Sequence, residues 1–173
     1  MPPRAAAALA LLQERIEAVA AALLPRRRWR PFARGRIEGV TSAAEGISHF
    51  VYLATRAGQD RPVSLLELEA QAEVDKFAVL VLSAWRAGRR LGRASAALRR
   101  RLFERVRYHA HLSEAEVARY RTANRLAAGY ARWLERRFLV RADREGLLAE
   151  LRASYRRGGA EKLGYLGSRG WAG

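Results

Sequence analysis

Arg121, Arg125, Arg132 and Arg136 are spaced so that on an ideal helix, advancing about 100° per residue, they fall within a band of roughly 60°. Guanidinium groups in such a row can grip phosphates through paired hydrogen bonds and stack on bases. A second group, Arg99, Arg100, Arg101 and Arg107, is interleaved with Phe103, Tyr108 and His109. Alternating cations and rings suit a single-stranded nucleic acid, whose phosphates are paired while its bases stack. Trp29, Tyr108 and Trp171 are the candidate stacking platforms. Both groups also fit a blander reading, a solvated helix face and a linker helix with ordinary surface charge.

No set of residues points to catalysis with comparable force. His109 and His111 are two apart, which on a helix turns them to different sides, and no third metal ligand stands at a defined spacing. His49 lies beside an apolar stripe, where a packed histidine is the ordinary reading. There is no P-loop, dinucleotide glycine fingerprint or nucleophile elbow, so the expectation is a protein that is no enzyme and needs no cofactor or metal.

The charge distribution supports a polyanionic partner. Of the formal net charge of +16, residues 86–173 contribute 21 Arg and one Lys against eight acids, 22 − 8 = +14, and residues 1–85 contribute 11 − 9 = +2. A surface of that sign attracts nucleic acid, and counterion release from the polyanion supplies most of the binding free energy. The chain has no cysteine, which excludes disulfides and thiolate metal sites and is compatible with a reducing cytoplasm. Arg15, Glu14 and Glu17 interrupt the apolar start, which is therefore too short to cross a bilayer, and a cytoplasmic protein without a membrane is expected.

The elements that must position these arginines are all helical. Leu9, Leu12, Ile16, Val19 and Leu23 align on one face of a first helix closed by Pro25, and Arg26 to Arg30 form a basic connector before Pro31. A second helix from about Arg36 to Ala57 should turn Ile37, Val40, Ala44, Ile47, Val51 and Ala54 inward. Its small residues Gly39, Ser42, Ala43 and Gly46 point to a close neighbour. Ser64 with Glu67 reads as a capping box opening a third helix, whose apolar side is Leu65, Leu68, Ala72, Phe77, Leu80, Val81, Ala84 and Trp85.

Ser95 should start a short basic segment after Gly88 and Gly92. A second capping box, Ser113 with Glu116, opens the helix that carries the arginine row, with Val117, Tyr120, Asn124, Ala127, Ala131, Leu134 and Phe138 as its apolar stripe. A short helix from Arg144 to Arg157 follows. The tail with Gly164, Gly167, Gly170 and Gly173 is expected to be partly disordered without a partner. The fold expected is an all-α antiparallel four-helix bundle over residues 1–140, with a basic insertion at 92–112 and a C-terminal helix and tail at 141–173.

The order of elements across residues 11–138 resembles the accessory variability determinant of diversity-generating retroelements, within the wider family of four-helix-bundle proteins related to those encoded by intervening sequences of ribosomal RNA genes. The resemblance rests on the Pro- and Arg-bearing connector, the apolar second helix ending in Ala57 and Gly58, and the stretch Leu65 to Ala87. It also rests on Arg125-Leu126-Ala127-Ala128-Gly129-Tyr130 followed by Arg132 and Trp133, where either Tyr130 or Trp133 supplies the family's aromatic.

The resemblance implies a non-enzymatic partner of a reverse transcriptase, a barrel-like homopentamer whose positive surface engages the enzyme and its template RNA during mutagenic cDNA synthesis. It assigns Arg121, Arg125, Arg132 and Arg136 to that surface. The chain departs from the family in the roughly 20 residues from Gly92 to His111, where a short turn is usual, and in its longer extension from Val140. Two other readings are a helical subunit of a CRISPR surveillance complex that tracks a nucleic-acid backbone, and a scaffold with an acidic protein partner.

Overall fold

The structure, a computed structural model, describes residues 34–106 and 110–171, with side chains from 37 to 106 and from 110 to 170. The expected first helix, the basic connector, Trp29, Arg107, Tyr108 and His109 lie outside the described residues, as does the side chain of Trp171. Among the described residues the chain is all-α: α1 Arg34–Ala57, α2 Leu65–Arg86, α3 Leu91–Phe103, α4 Glu114–Leu134, α5 Arg144–Arg156 and α6 Gly159–Trp171. A π-helical turn, Glu135–Leu139, continues α4.

The hub is α2, which packs against α1, α3 and α4, and α4 packs in turn against α6. Phe77, Leu80, Val81 and Ala84 of α2 meet Ile37, Val40 and Ala44 of α1, Leu98 and Phe103 of α3, and Ala123, Ala127 and Leu134 of α4 in one apolar core. Leu65, at the exposed start of α2, stays outside that core at 58% exposure.

Ser113 opens α4 with both halves of the expected capping box, its hydroxyl accepting from Glu116 N at 3.3 Å and its own N–H donating to Glu116 Oε2 at 2.9 Å. At Ser64 only half of the expected box forms. The hydroxyl accepts from Glu67 N at 3.2 Å, but the Glu67 carboxylate turns inward to Tyr52 and Arg56. A buried cation there competes successfully with a single N–H at the helix end.

The inward face of α1 also differs from expectation. Beyond Ala44 the buried positions are Ser48, Tyr52 and Arg56, while Ala54 is exposed and Ile47 and Val51 are half-buried. The rotation leaves a seam on the outside of α1, Gly39, Ala43, Gly46, Phe50, Leu53 and Ala57, with alternating spacings of four and three residues. Phe50 is 70% exposed, and an added Cβ on Gly39 or Gly46 would meet nothing within 4 Å.

Within the segment expected as an insertion, helix α3 contributes to the core. That helix starts at Leu91 rather than Ser95, and Ser95 is buried with its hydroxyl donating to the Gly92 carbonyl at 3.3 Å. Leu91, Leu98 and Phe103 face α2 and α4, and the Phe103 ring lies 6.2 Å from that of Phe77. The glycine-rich tail is helical as α6 up to Trp171. Gly170 serves close approach: an added Cβ on Gly129 would lie 2.8 Å from Gly170 Cα, so the backbones of α4 and α6 nearly touch. Leu166 and Lys162 are fully buried, and Tyr130 of α4 and Tyr165 of α6 both donate to Glu150 of α5, at 2.7 and 2.6 Å.

Candidate nucleic-acid interface

The buried side of α4 is Ala123, Ala127, Tyr130, Ala131 and Leu134. On an ideal helix that side is centred roughly 180° from the mean direction of Arg121, Arg125 and Arg132, and all three are exposed. Arg136 is also exposed, within the π turn that lets both Phe138 and Leu139 reach the core. From Val117 to Leu134 the helix contains four arginines, counting half-buried Arg119, and no acidic residue. The row thus points away from the core. Its chemistry is that of a cationic rail for phosphates.

The second group divides. Arg100 is exposed on α3, seven residues from exposed Arg93, so the two share an outward face. Arg101 is half-buried. Arg99 is 13% exposed and paired with Glu104 at 3.3 Å and Glu135 at 3.7 Å, so it fastens α3 to the π turn. Asn124 donates to the Phe103 carbonyl at 3.1 Å, a second tie between the same helices. Arg100 and the α4 rail therefore sit on adjoining helices, with Arg99 as a strut between them.

Trp133 has an internal role. Its ring stacks on Tyr130 with centroids 5.8 Å apart and planes at 13°, and the Arg169 guanidinium lies 4.7 Å from its centroid. Exposed arginines that the spacing argument passed over flank the rail, among them Arg137, Arg141 and Arg144 around the π turn.

A buried ionic cluster between α1, α2, α5 and α6 was missed entirely. Arg56 is 2% exposed and donates to the carbonyls of Tyr155 at 2.9 Å, Arg156 at 3.3 Å and Arg157, as well as to the Tyr52 hydroxyl at 2.8 Å. It thereby satisfies the open carbonyls at the end of α5, where the helix dipole favours a cation. Tyr52 donates to Glu67 Oε1 at 2.5 Å, and burial, together with that bond, holds its hydroxyl far above the ordinary range. Lys162 donates to the Ser154 carbonyl at 3.2 Å, and burial pushes its ammonium down to about 7. Asp75, held by Ser48 at 2.6 Å and Gln71 at 2.7 Å, is pushed up to about 6 by burial.

The signal in the sequence was a pair of four-residue ladders, Ser48-Tyr52-Arg56 and Glu67-Gln71-Asp75. Polar residues at that spacing share a helix face and can zip two antiparallel helices together.

No protein-family model, curated protein or solved structure matches this chain. Among the described residues, no helix is long and apolar enough to cross a membrane.

Proposed function

We propose that this chain is a non-catalytic, RNA-binding accessory subunit of a reverse transcriptase in a diversity-generating retroelement, supporting mutagenic cDNA synthesis from a template RNA in the cytoplasm. The observation that carries the RNA-binding reading is the outward rail of Arg121, Arg125 and Arg132 on an acid-free stretch of α4, continued by exposed Arg136 in the π turn. Arg100 adds an exposed cation on the adjoining helix, and Arg101 lies half-buried beside it. The link to a reverse transcriptase rests on the pattern resemblance over residues 11–138. The same reading includes an antiparallel four-helix bundle over residues 1–140 and a homopentamer.

Self-association is supported by the α1 seam, where small Gly39, Ala43 and Gly46 permit close approach and Phe50 and Leu53 supply apolar area. A second copy of the chain is the occupant this reading requires.

The test has two arms. Nuclease-treated protein in high salt should have the native mass of a pentamer; a monomer would overturn the assembly and favour a subunit of a larger ribonucleoprotein. Reversal of the rail by Arg125→Glu with Arg132→Glu should weaken binding to single-stranded RNA at least about tenfold, since each lost phosphate contact removes counterion release. Helicity should be unchanged. Equal affinity at moderate salt would exclude the rail as the binding site.

A further inference from the structure

Glu45 and His49 are one turn apart on α1, and Glu69 and Glu73 are one turn apart on α2. The antiparallel pairing of the two helices brings the first three together, with one donor atom from each lying within 4.8 Å of the others. His49 Nε2 stands 3.6 Å from Glu69 Oε2, is shielded from solvent and has no hydrogen-bond partner. That separation exceeds the 2.7–3.2 Å of an ordinary N–H···O bond. It is close to the roughly 3.4 Å between two donors that each stand about 2.1 Å from a tetrahedral metal ion.

We propose that Glu45, His49 and Glu69 bind one divalent transition-metal ion of the zinc class, with a fourth position left to water. This goes beyond the RNA-binding reading and does not depend on it. One imidazole and two carboxylates are a donor set for Zn²⁺, Co²⁺ or Ni²⁺, whereas Ca²⁺ and Mg²⁺ favour oxygen donors alone. Charge agrees with this. Glu45, Glu69 and Glu73 are three carboxylates gathered around Lys76, and the nearby Arg119 is shared with Glu116, so the cluster carries an excess of carboxylates over cations.

Lys76 Nζ lies 2.6 Å from Glu73 and 3.1 Å from Glu45, so Glu73 can retain the ammonium when Glu45 turns to the ion. Tyr120 of α4 stands close to Glu69 on the other side. The cluster lies near the surface, the His49 and Glu45 side chains being 27% and 38% exposed.

The experiment titrates chelator-treated, untagged full-length protein with Co²⁺, following the visible bands of tetrahedral Co²⁺. The expected result is saturation at one equivalent and displacement by Zn²⁺. His49→Ala and Glu69→Gln should each weaken binding by about tenfold or more, as changes around metal sites do. His111→Ala, at an exposed residue, should bind as the parent does. Absence of the bands in the parent protein overturns the proposal, as does equal affinity in His49→Ala. Glu45→Gln repeats the test at a half-exposed ligand should His49→Ala fail to fold, and equal affinity there also overturns it.

Discussion

The interface of α1 with α2 and the outer face of α4 handle charge in opposite ways. Between α1 and α2, cations and carboxylates meet in a dry interior: Arg56 is 2% exposed, and Glu67 is fully buried against it and Tyr52. Along α4 the arginines face solvent, with no acid from Val117 to Leu134. Charge number alone does not separate these regions; placement does. An ion buried with partners fixes helix geometry, whereas a row of exposed cations contributes little to the fold and faces the solvent from which a polyanion approaches.

The strongest way to break this contrast is Arg56→Ala. It uncovers the Glu67 carboxylate and three carbonyls at the end of α5, and should lower stability by about 3–5 kcal/mol in chemical denaturation. Double reversal at Arg125 and Arg132 should stay within about 0.5 kcal/mol of the parent in the same assay, since neither side chain is buried. A stability loss of similar size in both would erase the distinction between the regions.

Lys162 crosses the divide, coming from the arginine-rich half but buried with Arg56 of α1, Asp75 and Glu67 of α2, and the Tyr52 and Tyr155 rings. Its ammonium is pushed down to about 7 from an ordinary 10.5, so between those values the unfolded chain binds a proton that the folded chain has released. Stability should therefore rise with pH through that window, and the gain should be lost as pH falls back toward 7. Thermal melts at several pH values test this, and Lys162→Met should flatten the trend.

Smaller effects should separate the glycines. Gly129→Ala presses a methyl group against the α6 backbone and should cost about 1–2 kcal/mol, with amide protection lost selectively over 159–171. Gly46→Ala meets nothing within 4 Å in the chain and should stabilise the monomer by up to about 1 kcal/mol through helix propensity. If Gly46→Ala instead disrupts a pentamer, the outer seam of α1 is the contact between copies.

Where local chemistry suffices, the helices were legible in the sequence. Ser113 with Glu116 marks the start of α4, Gly58 follows the end of α1, and the expected fifth helix, Arg144 to Arg157, is within a residue of α5. Local patterns misled where burial is polar or backbones touch. Ile47, Val51 and Ala54 look like a core face, yet Ser48, Tyr52 and Arg56 occupy the interior because Glu67 and the carbonyl end of α5 are there to meet them. Gly164, Gly167 and Gly170 look like a disordered tail, yet Gly170 matches Gly129 across a contact that an added Cβ on either would crowd. The arginine row on α4 was readable because its spacing lies within one helix. The ionic cluster and the Glu45-His49-Glu69 grouping were not, because each joins residues from separate helices.

The sequence by itself determined the helical character, the main helix ends, the excess of arginine in the second half and its alignment along α4, since all of these follow from neighbours within a few residues. Only the tertiary structure decided which faces are buried, which arginines serve as struts and which remain exposed. Those outcomes depend on whether a partner from a distant helix can satisfy a polar group once water is removed.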